Sequence, residues 1–373
     1  MKQKDNVSIR SLFLHLLSAA IWDKPADAAM YERLDLETWK GIADMARRQT
    51  VSALIADKAL SLPKESLPPM KLKLQFMVMI QQTEALNRKM IQVLKDLTKE
   101  YQEAGFTFCL LKGLGNGVNY PSPLLRNAGD LDLFLYRKGD YERSKKWIYD
   151  NGIEITESHD MHYAFNKGGV LIENHQSITF FTSQKYEVLF KEWENRVIVN
   201  NNFTSIQIDD LRVQQLPIEM NAFFIFQHMF RHFVSGGVGF RQFCDWILFL
   251  SKYKDKIEPL SFTTLAKSYA LLYPMQVFAR GAVKYLGASE SIFPFEMIVD
   301  DIQTDWVIAD IFQSGNFGFH RPGKDNRTKN LQNFWFYYKS ILRRVKIVTA
   351  ISPEHSRNLA IRLVISRLKN GLK

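Results

Sequence analysis

Asp130 and Asp132 sit two residues apart in the run GDLDLFLY, each followed by a leucine. An extended chain sends alternate side chains to opposite faces, so both carboxylates leave one face while Leu131, Leu133 and Leu135 enter a core. Two carboxylates at that spacing can share a hard divalent cation. Mg²⁺, or Mn²⁺ in its place, takes oxygen ligands, keeps several waters and is completed by substrate phosphates, which suits an open carboxylate pair. A half-exposed strand with an acidic outer face uses the same spacing, so the neighbouring residues have to decide. Upstream, Lys112 and Gly113 follow an apolar run, Gly115 and Gly117 come where a helix should begin, and Arg126 precedes the acids. Backbone N–H groups at such a turn can meet a phosphate, and the two cations can neutralise its charge. GLGNG alone is a weak signal, lacking the GK[ST] of a P-loop and the GxGxxG of a dinucleotide turn. A third acid, Glu173, lies in VLIENHQSI, with His175 on the same strand face. Clustered anions repel, so neutralising Asp130 or Asp132 is expected to leave the melting temperature unchanged or higher.

The elements that position these groups change along the chain. Residues to about Lys99 carry apolar side chains at helical spacing, broken by the three prolines between Leu62 and Pro69. From Phe106 the runs shorten and glycine bounds them: FTFCLL and DLDLFLY read as strands, Asp140 to Asn151 as a helix. ITES, HYAFN and VLIENHQSI follow, the last two joined by Lys167, Gly168 and Gly169 as a hairpin turn. After Pro217 helices return, interrupted by the loops SGGVGF and SGNFG. The expected organisation is an N-terminal helical region (1–100), an α/β domain (101–212), a C-terminal helical domain (213–330) and a basic amphipathic tail (331–373).

Taken together, these residues resemble a known family. A lysine-glycine after a strand, an arginine before GDLDL, and an acid two before a histidine on a later strand are similar to the uncharacterised bacterial branch of the DNA polymerase beta-like nucleotidyltransferase superfamily. The similarity runs from about Leu12 to about Gly318. It takes in the helical segment around Trp39 and Ala46, His162, the run His228, Arg241 and Asp245, and the loop at Ser314 to Gly318. Two departures are Leu114 after Gly113, where a second small residue is usual, and Glu173 where aspartate is commoner. The resemblance implies an α+β fold: a mixed sheet with helices, flanked by helical regions on both sides. It implies transfer of a nucleoside monophosphate from an NTP to an acceptor hydroxyl, with release of pyrophosphate. Asp130, Asp132 and Glu173 are then the metal-binding catalytic carboxylates. Lys112, Gly113, Gly115 and Arg126 are the nucleotide-binding residues, and His162, His175, His228, Arg241 and Asp245 face the acceptor or support the site. The acceptor can be a small molecule, a sugar, a protein or RNA. A module that keeps the fold and binds nucleotide, RNA or protein without turnover is the alternative.

Composition bounds the remainder. With 46% hydrophobic and 24% charged residues in 373, the chain is an ordinary globular protein. Cys109 and Cys244 both lie in apolar runs and form no metal-type pair, which points to a reducing, cytoplasmic setting. The segment from Leu12 to Trp22 is too short to span a bilayer, and Asp5 and His15 argue against a leader peptide. The net charge of +10 is concentrated at the end: from Tyr337 onward there are nine cations against Glu354. That tail offers a surface for acidic lipid, nucleic acid or an acidic partner, whereas the body is close to neutral. His228 and His232, four apart on a helix, would also suit zinc, but no HExxH accompanies them.

Overall fold

A computed structural model describes residues 8–158, 161–297, 301–320 and 331–357. The order begins with α1 (Ile9–Ile21), α2 (Leu36–Arg48), α3 (Ser52–Leu60) and the long α4 (Met70–Glu103). Next come β1 (Phe108–Leu110), α5 (Leu114–Gly117), β2 (Leu131–Leu135), α6 (Asp140–Asp150), β3 (Ile155–Ser158), β4 (His162–Lys167) and β5 (Val170–His175). α7 (Gln184–Val199) leads to β6 (Thr204–Ile208) and β7 (Leu211–Gln215). The chain finishes with α8 (Ile218–Ser235), α9 (Phe240–Tyr253), α10 (Pro259–Ser268), α11 (Leu272–Leu286), α12 (Asp301–Ser314), α13 (Leu331–Ile351) and α14 (Pro353–Ser356). Two compact units result: 77–225, and a second made from 1–76 with 226–373. Residues 1–76 of the expected N-terminal helical region share a unit with the chain from 226 onward, while 77–100 and 213–225 group with the α/β segment.

In the α/β unit, five strands form one mixed sheet in the order β1-β2-β5-β4-β3. Only β2 and β5 run parallel; β1–β2, β5–β4 and β4–β3 are antiparallel. The hairpin β4–β5 turns on Gly168 and Gly169, with φ of 56° and 74°. Consecutive left-handed residues match the twist of the flanking strands, and glycine adopts them without a Cβ clash. Leu110, Leu131, Leu133, Leu135, Tyr163, Phe165 and Ile172 share one buried cluster with Met90, Leu94, Leu97 and Tyr101 of α4 and Ile148 of α6. Those α4 positions recur at three and four residues, the spacing of a single helix face. The β6–β7 hairpin, which the sequence pattern did not disclose, adds Ile206, Ile208 and Val213 to the same core.

In the helical unit, Leu12, Phe13, Leu16 and Leu17 of α1 are fully buried, so the apolar run from Leu12 to Trp22 is a core helix. The two glycine loops are tied through side chains. Buried Gln49 accepts from Phe240 N at 3.0 Å and donates to Ile311 O at 3.0 Å. Gln242 donates to Asn316 Oδ1 at 2.9 Å. One cation assigned to the basic tail has an interior role: Arg344, 1% exposed, donates to Asp310 Oδ2 at 2.9 Å and to Val234 O at 3.0 Å. Arg362, Arg367 and Lys369 lie outside the described residues. Among the described residues no helix is long and apolar enough to cross a membrane. Cys109 and Cys244 are buried free thiols.

Candidate functional site

The site is assembled by strand register. In the parallel ladder Asp132 stands opposite Glu173, and in the adjoining antiparallel ladder Glu173 stands opposite Ala164 and His175 opposite His162. Opposed residues project to the same face, so the acids and both imidazoles converge there. Carboxylate oxygens of Asp130, Asp132 and Glu173 all lie within 4.8 Å of one another. The alternative of a half-exposed strand with an acidic outer face does not describe β2, which is buried along its whole length, with Asp132 at 0% exposure. A fully buried carboxylate must be compensated, because its desolvation otherwise costs several kcal/mol.

Compensation comes from two basic side chains on one oxygen. Lys112 Nζ lies 2.8 Å and His175 Nε2 2.9 Å from Asp132 Oδ1. His175 Nε2 is also 3.3 Å from Glu173 Oε2, and His162 Nε2 is 4.0 Å from Glu173 Oε1. Burial, the largest influence on each group, is outweighed by these partners. Burial lowers the His175 pKa, yet hydrogen bonds to Asp132 and Glu173 hold it above its ordinary value. Burial would raise Glu173, yet the His175 hydrogen bond and the Lys112 charge keep it below the usual range. Lys112 is likewise pulled down by burial and raised overall by Asp132, Asp130 and Glu173.

Asp132 Oδ2 is buried and has no hydrogen-bond partner. An orphaned carboxylate oxygen beside two further carboxylates is the donor set a hard divalent ion takes, so these residues fit Mg²⁺ or Mn²⁺. The groups expected to meet phosphate divide. Gly113, Gly117 and Arg126 line one pocket with Asn87, Leu114 and Pro123. Gly113 has φ 60°, and a Cβ there would come within 2.9 Å of Asp130 O, so only glycine lets the loop pass this close to the acidic strand. Gly115 is outside that pocket. Its N–H returns to Lys112 O at 3.0 Å, and a Cβ would meet the Gln215 side chain at 3.0 Å. The helix expected after Gly113 is only the four residues of α5. Arg126 is buried, with Nη1 donating to Asn127 O at 3.2 Å, so it is not a solvated surface cation.

One supporting residue escaped the sequence reading. Asn87 donates to Leu124 O at 2.6 Å and Arg126 O at 2.9 Å, pinning the loop ahead of the acids. Its signal is visible in retrospect: a polar residue in register with the buried stripe Met90, Leu94, Leu97 and Tyr101. His228, Arg241 and Asp245 belong to the helical unit. There His228 Nδ1 accepts from Arg231 Nη2 at 3.4 Å, and the Nε2 atoms of His228 and His232 are 3.1 Å apart. Among the described residues, groups of three or more potential metal ligands occur only at Asp130, Asp132, Glu173 and at His162, Glu173, His175. The pair His228–His232 thus has no third ligand for zinc there.

The result is an α+β protein whose mixed sheet carries Asp132 and Glu173 on neighbouring parallel strands, with Asp130 just ahead of β2 and Lys112 and the Gly113 loop beside them. The family model described as uncharacterised nucleotidyltransferase matches residues 35–287, and the chain belongs to that family. No curated protein matches it. Among solved structures it is similar to an antigenic nucleotidyltransferase-like protein from Paracoccidioides brasiliensis, at 13% identity and a TM-score of 0.35, over 53% of this chain and 92% of that one.

Proposed function

We propose that this protein transfers a nucleoside monophosphate from an NTP to an acceptor hydroxyl. The observation that carries the reading is the register of β2 against β5, which puts Asp132 beside Glu173 with Asp130 adjacent, in a chain of a nucleotidyltransferase family. Asp130, Asp132 and Glu173 would hold Mg²⁺ or Mn²⁺, which when bound neutralises triphosphate charge and stabilises the attacking and leaving oxygens. The acceptor oxygen attacks the α-phosphorus, the bond to the bridging oxygen of the β-phosphate breaks, and pyrophosphate leaves with that electron pair. Glu173, kept ionised by His175 and Lys112, takes the hydroxyl proton. Lys112 and Arg126 offset phosphate charge, and Gly113 allows the backbone to approach it. His162 and His175 orient Glu173 on the acceptor side.

A second reading has an observation of its own. Lys112 and His175 both occupy Asp132 Oδ1, an arrangement that satisfies this oxygen without a metal and suits a module that binds nucleotide without turning it over. Incubating the full chain with each α-labelled NTP, Mg²⁺ or Mn²⁺, and a cell lysate separates the two. Transfer predicts metal-dependent labelling of an acceptor with release of pyrophosphate, both lost in Asp130→Asn. Metal-dependent NTP binding with neither label nor pyrophosphate would overturn transfer in favour of binding.

A further inference from the structure

We infer that the site face carries a second divalent-cation position of different chemistry, formed by His162, Glu173 and His175. Their ligand atoms lie within 4.8 Å of one another, and Glu173 presents a different oxygen to each imidazole, Oε1 to His162 and Oε2 to His175. The two histidines are opposed residues in the β4–β5 ladder, with ring centroids 5.0 Å apart, so the backbone register itself sets their separation. Donors at about 2.1 Å from a tetrahedral ion stand roughly 3.4 Å apart. His175 Nε2 lies 3.3 Å from Glu173 Oε2 and His162 Nε2 lies 4.0 Å from the other oxygen, Oε1, so Glu173 would meet a common ion through both oxygens or after a side-chain torsion that brings one oxygen between the imidazoles.

Two imidazoles and one carboxylate form a borderline donor set, in which the bound ion replaces the proton that His175 Nε2 otherwise shares with Asp132 and Glu173 and releases it to solvent. Such a set takes Zn²⁺, Co²⁺ or Mn²⁺ in preference to Mg²⁺, which the oxygen-only group of Asp130, Asp132 and Glu173 suits better. Glu173 belongs to both groups and can bridge them. This position goes beyond the transfer reaction and stands even if that reaction does not occur.

The test is a Co²⁺ titration of the full chain followed by visible absorption, with excess Mg²⁺ present to hold the oxygen-only group. Wild type should take up one equivalent of Co²⁺ with d–d bands of imidazole coordination, and Asp130→Asn should keep them. His162→Ala and the more conservative His162→Gln, each confirmed folded by far-UV circular dichroism, should weaken Co²⁺ binding by about tenfold or more. Unchanged Co²⁺ affinity and spectrum in a folded His162 variant would overturn the inference. So would loss of the bands in Asp130→Asn alone. Neither readout depends on nucleotide turnover, so failure here is distinct from failure of the transfer reading.

Discussion

The two faces of the five-stranded sheet are built from the same strands, residue by alternate residue, yet they solve opposite problems. On one face Leu131, Leu133, Phe165 and Ile172 pack against α4 and α6, and the polar groups at this core are neutral: Asn174 Nδ2 donates to the hydroxyls of Tyr101 and Tyr163, each at 2.6 Å. On the other face, residues one position along supply Asp132, Glu173, His162 and His175, together with Lys112, and the interior is held by opposed charge. The first face derives its stability from apolar burial, the second tolerates strong electrostatic cost and compensates it locally. A one-residue slip of β2 would exchange the two. The site is thus as firmly positioned as the core, because the same register fixes both.

The largest expected effect breaks that comparison at the carboxylates. Asp130→Asn and Asp132→Asn should each lower nucleotidyl transfer by about a hundredfold or more, roughly 3 kcal/mol of barrier, measured as labelled product per minute. The two should differ in stability, contrary to what repulsion between anions alone predicts. Asp132→Asn leaves Lys112 and His175 without their shared partner and should cost about 1–3 kcal/mol in urea unfolding, whereas Asp130→Asn should be neutral or stabilising. Equal midpoints would show that Lys112 and His175 do not depend on Asp132.

On the opposite face, Leu133→Ala should cost about 2–5 kcal/mol through lost burial and a residual cavity, while the protein that remains folded still binds divalent cation with wild-type affinity by calorimetry. A change in that affinity would mean the faces are coupled more tightly than register alone provides. A smaller effect is expected at the loop. Gly113→Ala forces a Cβ against Asp130 O at a left-handed φ, costing about 1–3 kcal/mol and weakening NTP binding by more than it lowers the melting temperature would imply. Unchanged nucleotide affinity would remove Gly113 from the phosphate-facing loop.

The mildest effect should be a dependence of metal-free stability on pH. Glu173 sits below its ordinary value of 4.5, so its contribution is present above that value and is lost as pH falls through the depressed pKa. His175 sits above its ordinary value of 6.5, so its contribution is complete below 6.5 and is lost as pH rises through the elevated pKa. Thermal melts in chelator should therefore show greatest stability between these limits, with the alkaline decline absent in His175→Gln. Mg²⁺ should stabilise most on that alkaline side, where the imidazole proton no longer competes for the carboxylates. A decline that survives in His175→Gln would assign it elsewhere.

Much of this was legible before any coordinates. Period-two alternation located β2, short apolar runs located β4 and β5, and a double glycine marked the turn between them, because those signals are local. The convergence of Glu173 with Asp132 came from family resemblance, since no local pattern states which strands are neighbours. What stayed hidden was non-local or chemically quiet. The β6–β7 hairpin turns on Asp209 and Asp210, with Asp209 at φ 56°, where no glycine signals a turn. Lys112 reads as a solvated or phosphate-facing cation until the fold brings Asp132 to it. Arg344 reads as part of a basic surface until Asp310 accepts its charge in the interior.

The double-glycine turn also bears on the order in which the site is expected to form. Hairpins close within microseconds, whereas the parallel pairing of β2 with β5 must wait until α6, β3 and β4 have been traversed and the longer loop is closed. His162, Glu173 and His175 all ride on that early hairpin, and Asp130 and Asp132 join them only with the late, long-range step. Pulse-labelling hydrogen exchange during refolding should accordingly protect β4 and β5 before β2, so that the imidazoles and one carboxylate come together first and the aspartate pair joins them last; simultaneous protection of all three strands would remove that order.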